Sequence, residues 1–342
     1  MILLVDGDHL LHRTLHVKEN AELRLRASYN DSIKVVMGPL SEAMRGIGVT
    51  GGYTGGAYTF FRALRATLER FPDTRKCVVV FDGGHSARRQ ALWPDYKAHR
   101  YAPKADPEAQ KKADEEKARF RAQKTLLRQA LPWFGVRVVF IEGYEGDDII
   151  ATVARKMPTQ PAVIVSEDKD FFQLVDERVT VWRPGKEVHV TLDTFHEVTK
   201  TKAEKDGWPN PDLYLLWACV RGDASDNIPG LKGAGQKAFR TAVEGSGARG
   251  VQDLDLLIAY AATHRLKRVQ ALADRSTWVR NLAMIDLGRE ELPGDALAAI
   301  RTAVTTPIRA QPKQARDCLR VLEFESIVKV WSTWNQPFRR LK

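Results

Sequence analysis

The chain has 342 residues, 28% of them charged and 44% hydrophobic, with a net charge of +10 and a pI near 9.5. This is the balance of a soluble globular protein of one or two domains, and its basic excess points to a nucleic-acid partner, with general solubility as the competing explanation. Dispersed Cys77, Cys219 and Cys318 exclude a disulfide frame and a zinc spacing and predict reduced thiols in a cytosol; no segment approaches the roughly 20 apolar residues that would span a membrane, and the N-terminal apolar run is too short for a signal peptide and lacks a basic leader.

Residues 2–5 form a continuously apolar run ending in Asp6-Gly7-Asp8, the pattern of a strand buried on both faces of a parallel sheet, and a helix begins at 9–13. Residues 16–50 are mixed in pattern. Residues 51–56 make a Gly-rich turn that is not a phosphate loop, because no Gly-Lys-Ser/Thr closes it. A helix follows, with Tyr58, Phe61, Leu64 and Leu68 at helical spacing. Residues 78–81 are a second buried strand, ending in Asp82. Residues 136–141 are a third, followed by a tight turn and a helix whose start carries Glu145, Asp147 and Asp148. Residues 162–165 are a fourth, leading to Glu167, Asp168 and Asp170 before a helix at 171–175.

Alternating strands and helices predict an α/β fold with a mainly parallel sheet and right-handed crossovers, in which every strand delivers its C-terminal end to one edge. Asp6, Asp82, Glu145, Asp147, Asp148, Asp168 and Asp170 are therefore expected to converge. The competing account is helix capping, which explains one acid per strand but not the paired acids after the third and fourth. Carboxylates without His or Cys are hard oxygen ligands, suited to Mg²⁺ or Mn²⁺ rather than zinc, and this many predict two or more ions. Two ions roughly 4 Å apart activate a water and stabilise the leaving oxygen of a phosphodiester.

Residues 83–130 hold 12 Lys/Arg against 6 Asp/Glu. Within them, residues 93–100 (WPDYKAHR) offer Lys97 and Arg100 to phosphate and Tyr96 or Trp93 to a base. In the charged stretch 104–124, Glu115, Glu116 and their neighbours read as a solvated helix with Glu–Lys pairs. After a helical pattern at 213–219, residues 220–238 combine Asp223 and Asp226, a Pro-Gly turn, and Gly233-x-Gly235-x-Lys237 opening a second helix. Glycines at a helix start let backbone N–H groups approach a phosphate, and Lys237 adds charge. His9, His12, His85 and His99 lack zinc spacing, and Trp331 and Trp334 are expected in the core.

Taken together and in this order, the motifs resemble the 5′ nucleases: flap endonucleases, stand-alone bacteriophage 5′–3′ exonucleases and the 5′-nuclease domain of bacterial DNA polymerase I. The matching stretches are LLVDGDHLLHR at 3–13, TGGAYTFFRAL at 54–64, VVFDGG at 79–84, PDYKAHR at 94–100, EGYEGDDIIAT at 142–152, VSEDKDFFQLV at 165–175 and GDASDNIPGLKGAGQKAF at 222–239. They run in the family's order over about two thirds of the chain, and RNLAMIDL at 280–287 resembles the tail of the phage members.

The resemblance implies a PIN-like nuclease core at 1–200 with a helical arch at about 84–130, and a helical region at 201–342 with a helix-hairpin-helix-type DNA-binding motif at about 213–240. Asp6, Asp82, Glu145, Asp147 and Asp148 would serve one metal cluster, and Asp168, Asp170, Asp223 and Asp226 a second. Lys97 and Arg100 would steer the scissile phosphate, Tyr96 would stack on a nucleobase, and Gly233, Gly235 and Lys237 would hold the duplex backbone, with a K⁺ ion on main-chain carbonyls. The implied activity is Mg²⁺- or Mn²⁺-dependent hydrolysis of DNA near 5′ flaps and single-strand/duplex junctions, leaving a 5′-phosphate, in replication and repair. It implies a monomer in the cytoplasm, the host's if phage-encoded, with no membrane partner. Gly146 stands where many members have Ala, Asp8 and Glu167 are extra acids expected beside the ligand set, and 16–50 and 245–279 match nothing. A ribonuclease on RNA or RNA–DNA hybrids and a non-catalytic DNA-structure binder are the alternatives.

Overall fold

A computed structural model describes residues 1–15, 38–100, 102–103, 105–156, 160–201, 206–289 and 292–342; most of the unpatterned stretch 16–50 lies outside them. Strands β1 (Ile2–Asp6), β2 (Lys76–Phe81), β3 (Arg137–Phe140), β4 (Ala162–Val165), β5 (Val179–Arg183) and β6 (Val188–Val190) form one sheet in the order β3-β2-β1-β4-β5-β6. All neighbours pair in parallel except β6, which runs antiparallel to β5. The expected α/β class and parallel sheet are present, with the apolar runs matching β1 to β4 to within two residues. β5 and β6 have no counterpart in the sequence reading, because VTVWR and VHV alternate apolar with polar residues over too short a span.

The helices are α1 (Gly7–Leu15), α2 (Ser41–Val49), α3 (Gly55–Arg70), α4 (Ala87–Leu92), α5 (Pro107–Ala130), α6 (Gly146–Lys156), α7 (Pro211–Arg221), α8 (Gln236–Ser246), α9 (Leu254–Thr263), α10 (Arg275–Ile285), α11 (Gly294–Thr305) and α12 (Pro312–Val321). The continuous apolar run of β1 serves two cores at once. Ile2 and Leu4 belong to one, Leu3 and Val5 to the other, as alternation along a strand requires.

The first core runs from Leu4, Val80 and Ile150 through Trp217 and Phe239 to Trp278 and Ile300. The boundary expected near residue 200 therefore does not interrupt it. On the other face α12 and the segment beyond it return to the sheet, where Leu319, Phe324, Trp334 and Phe338 join Phe61 and Phe134. Trp334 is buried and Trp331 stacks on it with ring centroids 6.0 Å apart, in the core as expected. No helix among the described residues is long and apolar enough to cross a membrane.

The 24-residue α5 opens with Pro107 after Asp106, whose carboxylate accepts from the Glu108 and Ala109 N–H groups. Its first half is largely exposed, as a charged solvated helix should be. From Ala122 onward it is core: Ala122, Leu126, Leu127 and Ala130 are buried. The arch expected over 84–130 thus does not extend through this C-terminal part.

Beyond the strand ends, pairing continues through Gly83, whose N–H donates to Tyr144 O (2.8 Å) while Gly143 N–H donates to Gly83 O (2.9 Å). A Cβ at Gly83 would lie 1.7 Å from Ile141 O, so only glycine fits between β2 and the turn that carries Glu145. Gly83→Ala should destabilise the protein by roughly 2–4 kcal/mol in urea denaturation, because the obstruction is backbone. Gly48→Ala, in α2 with nothing within 4 Å of an added Cβ, should be neutral or up to about 1 kcal/mol more stable by helix propensity.

Candidate active site

The parallel strands bring their acids to one edge. Asp6 ends β1, accepting from His9 N–H (2.9 Å) and from the Ser166 hydroxyl (2.8 Å). Asp82 follows β2 and accepts from Gly146 N–H at the start of α6. A Cβ at Gly146 would meet the Asp82 carboxylate at 2.8 Å, so the glycine makes room for it. Capping therefore accounts for Asp6 and Asp82 in part. It does not account for the carboxylates of Asp147 or Asp170, which accept no hydrogen bond among the described residues; Asp170 N–H itself donates to Asp168 (2.9 Å).

The charges of these groups register on one another. Asp6 is raised from 3.8 to about 8, by burial first and then by Asp82 and Asp168. Asp147 lies well above the usual carboxylate range from burial and the charges of Asp168, Asp6 and Asp82. Asp170 is raised in the same way by burial, Asp168, Asp223 and Asp226. Asp8 is raised to about 7 by burial and Asp82. One field thus joins Asp6, Asp82, Asp147 and Asp168, and Asp170 extends it to Asp223 and Asp226.

Two expectations are corrected by the geometry. Asp148 does not face this cluster: it is 1% exposed, and both its oxygens accept from Arg89 (2.6 and 2.7 Å). Successive helix residues point about 100° apart, which lets Asp147 face the cluster while Asp148 turns to Arg89. Tyr96 offers no face to a base; it is 3% exposed and its hydroxyl donates to Glu145 (2.9 Å). Glu115 and Glu116 are exposed, as the solvated reading expects, whereas at the end of the same charged stretch Lys124 Nζ reaches Asp8 (2.7 Å) and Asp82 O (2.6 Å).

Arg89 and Lys124 are the residues that sequence reasoning missed. Each lies in a basic stretch, where one more cation reads as solvent-facing. Arg89 is 2% exposed and also donates to Glu145 (3.1 Å) and Met284 O (2.9 Å). Of the extra acids, Asp8 accepts from Asp82 N–H (3.1 Å) beside the cluster, while Glu167 pairs with Arg183 (3.3 Å).

Lys97 and Arg100 form the rim. Lys97 Nζ lies 3.0 Å from Glu145 and 3.8 Å from Asp226, and Arg100 pairs with Asp226 (2.5 Å). Burial pushes the Glu145 pKa up, but Lys97 and Arg89 outweigh it and hold the carboxyl below its ordinary value. Asp223 and Asp226 lie in the turn between β7 (Gly222–Asp223) and β8 (Ile228–Pro229), where Asp223 accepts from the Ser225 N–H and hydroxyl (both 2.7 Å). Past β8, Gly233 has φ 86° and Gly235 caps α8 without a side chain, leaving the helix start open beside exposed Lys237.

Among the described residues no three of these side chains close on one ion-sized point. A hard cation that keeps part of its water shell needs no such cage. The donors are all oxygen, and among the described residues the carboxylates of Asp147 and Asp170 accept no hydrogen bond and a buried Asp8 oxygen (Oδ1) lacks a partner as well. The residues fit a hard divalent cation.

This repulsion sets a pH dependence. A carboxylate with a raised folded pKa takes up a proton on folding, so for Asp6 the stability linked to that proton is present below 3.8 and lost as pH rises through about 8. In EDTA the melting temperature should fall from about pH 5 to about pH 8.5, and the stabilisation added by Mg²⁺ should grow over that interval. Thermal melts followed by circular dichroism check both; a Mg²⁺ effect independent of pH is the contrary result.

Comparison with known proteins gives a consistent answer. Residues 1–202 match the family described as 5′–3′ exonuclease, N-terminal resolvase-like domain. The thermostable DNA polymerase I of Thermus filiformis is 31% identical over 238 residues, 69% of this chain and 23% of the polymerase. DNA polymerase I of Treponema pallidum is 29% identical over 343 residues, 94% of this chain and 29% of the polymerase. The chain thus spans about a quarter of the length of these relatives. The structure of the bacteriophage T5 D15 protein co-crystallised with metal ions superposes with a TM-score of 0.62 at 19% identity, covering 94% of this chain and 99% of the other. The D15 flap endonuclease complex with DNA and metal ions gives 0.59 at 20% identity, with the same coverage. At these identities the two structures establish the fold. With the match over more than half its length, the chain belongs to the 5′–3′ exonuclease family.

Proposed function

We propose that this protein is a Mg²⁺-dependent, structure-specific 5′ nuclease that hydrolyses DNA near 5′ flaps and single-strand/duplex junctions and leaves a 5′-phosphate. The observation that carries the reading is an overcrowded carboxylate pocket beside which Lys97 and Arg100 pair with Glu145 and Asp226. An anionic pocket alone would repel DNA, and a basic rim alone would only bind it. The family's polymerase relatives and the DNA-bound T5 flap endonuclease support DNA as the substrate class.

Asp6, Asp82 and Asp147 would hold one ion, and Asp168, Asp170, Asp223 and Asp226 a second. Glu145, whose oxygens meet Arg89, Lys97 and Tyr96, would act through water. Bound ions supply Lewis acidity that lowers the pKa of water and neutralises the leaving oxygen. Lys97 and Arg100 neutralise the scissile phosphate from the rim. The open start of α8, with Gly233, Gly235 and Lys237, takes a duplex phosphate, and main-chain carbonyls of the hairpin hold a K⁺ ion. Contacts of this kind position the backbone and read no sequence. The reading extends to a monomer acting in the cytoplasm in replication and repair.

Asp168→Ala should lower cleavage of a 5′-labelled flap about a thousandfold, the several kcal/mol that Lewis-acid stabilisation contributes. Flap binding in Ca²⁺ or EDTA should survive; undiminished turnover removes Asp168 from the site. Equal cleavage of single-stranded RNA or RNA–DNA hybrids in the same assay would favour a ribonuclease. Lys237→Ala should weaken duplex binding uniformly across sequences and reduce the slope of log affinity against log salt by about 1. An unchanged slope would take Lys237 off the duplex.

A further inference from the structure

We propose that Asn227 is a positioning residue that clasps the Lys97–Arg100 segment to the turn carrying Asp226, so that duplex DNA seated on the hairpin is felt at the two rim cations. The proposal rests on the nuclease reading above and adds to it the link between its two DNA contacts.

Residues 93–100 and 225–227 are far apart in sequence and stitched together in space. The Trp93 indole N–H donates to Asn227 O (2.8 Å), and the Asn227 side-chain amide donates back to Asp95 O (3.1 Å). Lys97 N–H donates to Asp226 O (3.0 Å). Arg100 meets Asp226 Oδ1 (2.5 Å) and Ser225 O (3.3 Å). Arg280 braces the junction from α10, with its guanidinium 4.9 Å from the Trp93 ring and a hydrogen bond to Pro229 O (2.7 Å).

Both sides of the clasp hold non-glycine residues in left-handed backbone: Lys97 has φ 55° and Asn227 φ 64°. Such conformations persist when surrounding contacts over-determine them. Asparagine suits its place for two reasons. It tolerates left-handed backbone better than most residues, and its amide supplies a donor to a carbonyl. Glycine would accept the backbone but lack the donor; aspartate would set an oxygen against the Asp95 carbonyl. The side chain is exposed, so either change leaves the core intact.

The route to the hairpin is short and stiff. β8 follows Asn227 directly, Leu231 N–H donates to Val220 O (2.9 Å) and Ala234 N–H to Leu231 O (3.2 Å), and α8 opens at Gln236. A phosphate held at Gly235 and Lys237 therefore bears on the same rigid turn that fixes Lys97 and Arg100.

The test compares Asn227→Asp and Asn227→Gly with the parent on two Mg²⁺-dependent substrates, a flap with a duplex arm and a single-stranded 5′ end. Both variants should melt close to the parent and keep its KM for the flap. On the flap, kcat should fall about tenfold in Asn227→Asp, the factor one hydrogen bond commands, and less in Asn227→Gly. The advantage of the duplex-armed substrate should shrink in both. Hydrogen exchange supplies a readout independent of cleavage: residues 93–100 should exchange faster in both variants, and adding duplex DNA should no longer slow them. Parent-like kcat and duplex advantage in Asn227→Asp, a loss carried wholly by KM, or unchanged exchange at 93–100 would overturn the proposal. If the parent cuts neither substrate, the nuclease reading fails, and exchange at 93–100 still decides whether Asn227 holds the clasp.

Discussion

Repulsion among carboxylates gathered at one sheet edge is the constraint to which the rest of the fold responds. At an effective dielectric of about 20, two like charges about 5 Å apart cost roughly 3 kcal/mol, and Asp6, Asp147 and Asp170 are each raised by the charges of neighbouring acids. The chain answers with cations drawn largely from residues 89–124. Lys124 meets Asp8, Arg89 spans Glu145 and Asp148, and Lys97 and Arg100 meet Glu145 and Asp226. The basic stretch is therefore more than a surface for a polyanion; it also stabilises the acids it surrounds. What it leaves uncompensated is as informative. Asp147 and Asp170 are raised well above the usual range despite Lys97 and Arg221, and their carboxylates accept no hydrogen bond among the described residues, which is where added positive charge has the most to gain.

The second organising feature is the way core, rim and hairpin are tied together. The segment that resembles the tail of the phage members works as a strut. Arg88 and Arg89 of α4 donate to Ala283 O (2.7 Å) and Met284 O (2.9 Å). The Asn281 amide reaches Cys219 O (2.7 Å) and Pro229 O (3.0 Å), and Gln173 exchanges hydrogen bonds with Ile285 O and Leu287 N–H. One helix thus touches the root of the rim, the base of the hairpin and the segment after Asp170. Because these contacts are buried or backed by a shared apolar core, the two halves of the chain are packed as one body.

The sequence by itself determined the four parallel strands β1 to β4 and the meeting of Asp6, Asp82, Asp147, Asp168 and Asp170. The reason is local: continuous apolar runs demand burial on both faces, parallel strands need crossovers, and crossovers deliver every strand end to one edge. It also marked Gly233 of the hairpin, whose left-handed backbone few other residues accept. Only tertiary structure decided which acids face the pocket and which cations are buried. Asp147 and Asp148 are indistinguishable as letters, yet helical rotation turns one to the cluster and the other to Arg89. Arg89 and Lys124 look like their solvated neighbours, and Tyr96 like a stacking residue, until distant segments fold onto them. Charge and aromatic character are written in the sequence; burial and pairing depend on partners many residues away, and no local pattern encodes them.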